Sequence, residues 1–178
     1  MRLLSRKVHS TSKIVLIGDA RVGKTSLVRR FVTNLFDPSY QITLGTTIMK
    51  KDVDYLNHIV TLAIWDIGGQ DVFRQIRSKY FFGSSGALAV CDVSNPDSFE
   101  NLPTWVDSFK TEVGDKPIIF LANKCDLKDA EINEENMKAL VSKYKNTEFL
   151  FTSAKDGTNT EKAFINLVRL MVAEQDII

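Results

Sequence analysis

The segment Gly18-Asp-Ala-Arg-Val-Gly23-Lys24-Thr25 limits what this chain can fold into more than any other feature, because its spacing, G-x-x-x-x-G-K-[ST], needs a particular frame on both sides. That frame is present. The apolar run Lys13-Ile-Val-Leu-Ile17 reads as a buried strand before it, and 24–34 reads as a helix after it. Glycines let the backbone wrap a phosphate chain so that its N–H groups converge, and the following helix offers the positive end of its dipole. Lys24 would then neutralise β- and γ-phosphate oxygens and Thr25 would ligate Mg²⁺, with Asp19, Ala20, Arg21, Val22, Gly23 and Ser26 completing the cradle. A glycine-punctuated strand-to-helix turn can exist without a ligand, but correctly placed strand, helix, Lys and Thr weigh against that alternative. The loop alone does not identify the base.

Beyond this point short apolar runs continue to alternate with helical patterns, as successive βαβ units require. Strands are predicted near 13–17, 46–54, 58–65, 86–92, 117–122 and 148–152, and helices over 24–34, 71–81, 98–111, 133–145 and 159–174. The first strand, Gly86–Val90 and Ile118–Ala122 are apolar almost throughout, the mark of parallel strands covered on both faces. Residues 46–65 alternate and contain Leu56-Asn57-His58, which predicts an antiparallel hairpin at an edge. Pro103 is expected in the first turn of the third helix, with 97–101 in a preceding turn. In the last helix Ala163, Phe164, Leu167, Leu170 and Met171 share a face, and Thr158-Asn-Thr-Glu161 has capping-box spacing. The expected architecture is one α/β domain, a six-stranded mostly parallel sheet with one antiparallel edge strand and five flanking helices, over 11–176 after an N-terminal extension, 1–10.

Charge narrows the ligand class. The 178 residues carry 23 Lys+Arg against 22 Asp+Glu, which supplies no global field and no basic arm for a nucleic acid polymer. The balance is uneven, however: residues 1–60 hold ten basic and four acidic side chains, so an anion site belongs in the N-terminal third. Cys91 and Cys125 are too far apart for a paired metal or redox motif and read as reduced thiols of a cytoplasmic protein. Met1-Arg-Leu-Leu-Ser-Arg-Lys7 has too short an apolar stretch for a signal peptide, and no segment has the apolar length to span a bilayer.

Two further motifs follow predicted strands. In Trp65-Asp66-Ile-Gly-Gly69-Gln70, Asp66 is placed to hold water on Mg²⁺, Gly69 to offer its N–H to a terminal phosphate, and Gln70 to orient an attacking water. Alone, such a segment is an ordinary strand-ending turn. Asn123-Lys124-Cys125-Asp126 and Ser153-Ala154-Lys155 bear on the base. Guanine shows N1–H and N2–H₂ donors side by side, which one carboxylate accepts in parallel. Adenine's N1 would confront that carboxylate with a lone pair, so Asp126 selects for one base and against the other.

Taken together, Gly18–Thr25, Thr43, Asp66–Gln70, Asn123–Asp126 and Ser153–Lys155 resemble the five motifs of the Ras superfamily of small GTPases in order and spacing. The similarity covers about 11–175. Thr43-Leu-Gly45, Trp65, Val72–Arg77 and Tyr80–Gly83 make it most similar to the Rab-like branch, whereas Ile48 stands where Rab proteins usually carry an aromatic. The resemblance implies a phosphate-loop small G domain that binds GTP and GDP with Mg²⁺. It implies that Thr43 coordinates the metal and meets the γ-phosphate, that Phe36 packs beside guanine, and that Tyr40 covers the phosphates. Lys24, Thr43 and Gln70 would carry hydrolysis. Trp65, Phe73 and Tyr80 are either packing residues or, by the resemblance, an effector patch.

Several departures bear on mechanism. Ala20 brings a methyl toward the γ-phosphate and Gln70, so slow unassisted hydrolysis is expected. Ile67-Gly68 replaces the usual Thr-Ala and gives the second switch an extra glycine. Arg21 lies where glycine is common; it is read as solvated, with a contact to phosphate or Asp71 as the alternative. With no arginine finger evident in cis, turnover on the order of 10⁻⁴ s⁻¹ is expected, with a GTPase-activating protein as the missing component. An exchange factor and effectors would be further partners of a monomeric switch. Two rivals are a nucleotide-binding interaction module with little turnover and a phosphate-loop kinase or ATPase. No cysteine follows Cys125, so peripheral membrane attachment is expected only with a lipidated tail beyond Ile178.

Overall fold

The computed structural model describes residues 7–39, 43, 45–69 and 77–175. The predicted strands pair into one sheet of order β2-β3-β1-β4-β5-β6. Its members are β1 (Val8–Ile17), β2 (Thr46–Tyr55), β3 (His58–Ile67), β4 (Gly86–Asp92), β5 (Ile118–Asn123) and β6 (Thr147–Phe151). All neighbours run parallel except β2 and β3, whose hairpin forms one edge with Ile48 opposite Trp65. β1 begins earlier than its apolar run suggests: Val8–Ser12 pair with His58–Leu62, so strand structure reaches into the segment expected as an extension. Those residues are largely polar because only one side of this sheet end meets the core, and apolar content alone could not reveal them.

Helices α1 (Lys24–Thr33), α4 (Leu102–Val113), α5 (Glu134–Val141) and α6 (Thr160–Gln175) flank the sheet. Short α2 (Arg77–Phe81) is the described part of the helix predicted over 71–81, and α3 (Pro96–Glu100) is the turn expected before Pro103, which does occupy the first turn of α4. Period-two alternation sends Ile14 and Leu16 to one face, against α1 and α6, and Val15 and Ile17 to the other, against α4 and α5. Phe31 of α1 stacks on Phe164 of α6 with centroids 3.9 Å apart. The capping box is found at α5, where Asn133 and Asn136 bond reciprocally, and not at α6. Since α6 starts at Thr160, Thr158 lies one residue too early, and the flanking Asn159 takes a left-handed φ of 52° and donates to Phe151 O.

Parallel strands place their carboxyl ends at one edge of the layer. Ile17, Ile67, Asp92, Asn123 and Phe151 therefore end where every predicted motif begins.

Candidate functional site

The loop between β1 and α1 is shaped by close approach. A Cβ on Gly18 (φ 133°) would lie 2.1 Å from the Val90 carbonyl oxygen, and one on Gly23 (φ 97°) 2.3 Å from Asn123 Nδ2. Gly23 precedes α1 without a side-chain cap, and no acidic residue sits in the first turn, so the helix presents bare N–H groups and positive potential. Lys24 is buried, and its ammonium donates to Gly18 O at 2.7 Å and Asp19 O at 2.6 Å, which folds the charge over the loop. The Asp19 carboxylate accepts from Asn101 Nδ2 and Trp105 Nε1, both at 2.8 Å, lashing the loop to α4. Arg21 is exposed with φ 65°, a left-handed backbone that costs a non-glycine residue about 1 kcal/mol.

Thr25, Thr43 and Asp66 come together beside this loop. Thr25 Oγ1 lies 2.6 Å from Thr43 Oγ1 and donates to Asp66 Oδ2. Asp66 is 2% exposed, and its Oδ1 is buried without a hydrogen-bond partner. Burial drives its carboxyl above the ordinary value, and the Thr25 hydroxyl opposes this. Two hydroxyls and an orphaned carboxylate oxygen form an all-oxygen donor set that suits a hard cation such as Mg²⁺, which binds through one or two carboxylates and completes its shell with water and phosphate. Among the described residues there is no cluster of three or more His, Cys, Asp or Glu to favour a softer metal. Gly69 closes the other side: a Cβ there would sit 2.3 Å from Ala20 N, so only glycine fits against the phosphate loop. Gln70 and Tyr40, together with Asp71 and Phe73, lie outside the described residues.

The loop and its neighbours enclose a cleft of about 540 Å³, lined by Ala20, Arg21, Gly23, Thr25 and Ser26 together with Phe36, Asn123, Lys124, Asp126, Ala154 and Lys155. Asp126 accepts from Ser153 Oγ at 2.6 Å, with Lys155 Nζ at 3.8 Å. Asn123 is 1% exposed and spans two elements, donating from Nδ2 to Val22 O at 2.9 Å and accepting from Thr152 Oγ1 at 3.1 Å. It is a strut between the β1–α1 loop and the segment that follows β6. Lys124, in left-handed backbone (φ 65°), pairs with Asp92 Oδ2 at 2.5 Å. Burial pushes the Asp92 carboxyl up, but the Lys124 ammonium and the Ser94 N–H and hydroxyl outweigh it and hold the group below the ordinary carboxylate value.

The sequence motifs therefore converge, while Asp92, Thr152, Asn101 and Trp105 join the site unannounced. For Asp92 a signal existed, since it is the carboxyl-terminal residue of a buried strand. The others carried none, being a threonine after a strand and residues of a helix far away in sequence. Between β2, β3 and α2, Trp65 packs near Tyr80 with centroids 6.4 Å apart, Lys13 Nζ sits 4.0 Å over the Trp65 ring and donates to Phe82 O, and Ile48 is exposed.

The chain matches the Ras family over residues 13–173. It is 37% identical over 172 residues to Ras-related protein Rab-9A of Rattus norvegicus, covering 94% of this chain and 86% of the relative. Rab-9B of Mus musculus is 37% identical over 169 residues, with coverages of 92% and 84%, and Rab-7b of Paramecium octaurelia is 33% identical over 169 residues, with 92% and 82%.

Proposed function

Starting from the fact that the chain belongs to the Ras family and is Rab-like, we propose that it binds GTP and GDP with Mg²⁺, hydrolyses GTP to GDP and phosphate, and serves as a conformational switch in Rab-like vesicle trafficking or related signalling. One observation carries this reading. Lys24, Thr25, Thr43 and the Asp126 carboxylate line a single cleft, with Asp66 behind Thr25 as its hydrogen-bond acceptor.

In this reading the uncapped start of α1 and the Lys24 ammonium bind the phosphates, and Asp126, held by Ser153, accepts the paired donors of guanine. Thr25, Thr43 and Asp66 would hold Mg²⁺, which would supply neutralisation of phosphate charge. Thr25 and Thr43 would turn their hydroxyls, and Asp66 its orphaned oxygen, toward the cation. Gln70 would orient the attacking water, with Gly69 offering its N–H to the γ-phosphate. Loss of that phosphate removes what holds Thr43 and Gly69, so both segments relax, which is the switch. The methyl of Ala20 suits a slow intrinsic rate and a GTPase-activating protein, with an exchange factor and effectors as the other partners. The Ile48–Trp65–Tyr80 surface is the proposed effector face. No helix of the described residues is long and apolar enough to cross a membrane; we place the protein in the cytoplasm, peripheral to membranes if a lipidated tail follows.

Phosphate release from GTP in single turnover tests the reading. Gln70→Leu should slow it at least tenfold without weakening GTP binding, as loss of a water-orienting group predicts. GTP binding with no turnover above buffer, equal in both proteins, would leave a nucleotide-binding interaction module instead. Equal competition by ATP would remove the guanine assignment.

A further inference from the structure

Arg30, in the last turn of α1, is a half-buried cation that none of the motifs uses. Its guanidinium donates from Nε to Ala154 O at 2.8 Å, from Nη2 to Lys155 O, and from Nη1 to Asn34 O at 3.1 Å. These acceptors belong to two different walls. Ala154 and Lys155 follow β6 and line the cleft on the Asp126 side, whereas Asn34 ends α1 two residues before Phe36, which lines the cleft opposite.

The contact to Lys155 O reaches further. The same planar peptide unit carries the Asp156 N–H, which donates to Ser153 Oγ at 3.3 Å, and Ser153 Oγ donates to Asp126 Oδ1 at 2.6 Å. An unbroken path of hydrogen bonds thus runs from Arg30 to the carboxylate proposed to read the base. Asn34, held at φ 58° with its N–H on Arg30 O at 2.9 Å, fixes the departure of the chain toward Phe36. Because Lys24 and Thr25 occupy the first turn of the same helix, α1 joins the phosphate end of the cleft to its base end across about 9 Å.

We infer that Arg30 is a positioning residue for the guanine base, setting the residence time of the nucleotide and the selectivity for guanine without touching the ligand. A planar guanidinium spreads its donors over three nitrogens and so reaches three carbonyls on two segments, whereas the three donors of an ammonium diverge from a single nitrogen. The inference rests on the guanine-nucleotide reading of the cleft. It goes beyond that reading in assigning base selectivity to a residue outside the cleft.

The experiment loads the protein with fluorescent GDP or inosine diphosphate, which lacks the exocyclic amine, and follows release with excess unlabelled nucleotide, with Mg²⁺ and with a chelator. Loss of two charge-assisted bonds to the base loop predicts about tenfold faster GDP release from Arg30→Ala, and about threefold from Arg30→Lys. The preference for GDP over inosine diphosphate should narrow by at least about threefold, because Asp126 loses its fixed orientation. The factor by which chelation speeds release should be unchanged, since the metal residues lie at the other end of α1. Release within twofold of the unsubstituted protein, or equal acceleration for both nucleotides, overturns the inference; if Arg30→Ala does not fold, Arg30→Lys is judged by the same criteria. Failure of the unsubstituted protein to bind GDP over ADP overturns the guanine reading itself.

Discussion

Replacing Asn123 by alanine tests whether this residue is a strut or a reader of the base. In the fold it satisfies two buried partners, the Val22 carbonyl at 2.9 Å and the Thr152 hydroxyl at 3.1 Å, in surroundings where Val22 is 1% and Thr152 0% exposed. Truncation leaves both without partners, and an unsatisfied buried polar group costs about 1–3 kcal/mol. The expected loss is about 2–4 kcal/mol, or roughly 5–15 °C in unfolding midpoint for a domain of this size. Because weaker GDP binding would also lower the midpoint, unfolding is measured without nucleotide and over a GDP series: the ligand contribution vanishes at zero GDP and leaves the structural loss. Thr152→Val removes one partner while keeping the shape, so Asn123→Ala in that background should cost about 1 kcal/mol less than alone. A nucleotide-free loss below about 1 kcal/mol, accompanied by a large loss of GDP affinity, would refute the strut and make Asn123 a direct contact of the base.

Other perturbations follow from the same geometry. Gly18→Ala sets a methyl 2.1 Å from a backbone oxygen of β4 at φ 133°, so it should abolish soluble folded protein, read by expression and circular dichroism. Asp66→Asn should raise the metal-free unfolding midpoint, by about 1–2 kcal/mol of removed buried-charge penalty, while abolishing stabilisation by Mg²⁺; a fall in the metal-free midpoint would contradict the orphaned oxygen. The Asp92 carboxyl lies below its ordinary value in the fold, so its pair with Lys124 stabilises above about pH 4 and is lost as pH falls through the lowered value. Unfolding curves of the protein and Asp92→Asn should therefore be separate at about pH 6 and draw together as the pH falls below the ordinary carboxylate range. Asp19→Ala should shift the emission of Trp105, whose indole N–H then lacks its carboxylate, and cost about 1–2 kcal/mol in urea unfolding.

The strands and the site were legible to different depths. Buried strands such as Gly86–Asp92 declared themselves because both faces meet apolar layers and the sequence must be apolar throughout. The first five residues of β1 did not, because pairing with β3 asks only for backbone groups. The helix at 98–111 divided at Asn101, which shows φ −81° and ψ −14°; the proline that causes this was visible, but its exact partition into α3 and α4 depends on how Ser98 folds back onto Asp92. The glycine requirement at 69 was likewise invisible, since it comes from Ala20 and Asp19 across the sheet.

The sequence by itself marked the residues proposed for the phosphates, the metal and the base, because each motif is a short stretch whose residue types and spacing can be read along the chain. Only the tertiary structure decided what holds those stretches at their working distances: Asp19 on Asn101 and Trp105, Asn123 between Val22 and Thr152, and Arg30 on Ala154 and Lys155. These supports span separations of 29 to 125 residues. A hydrogen bond between such partners leaves no periodicity or spacing in the sequence. It exists because parallel strands bring their carboxyl ends to one edge, where buried polar groups must find partners among whatever residues the fold delivers there.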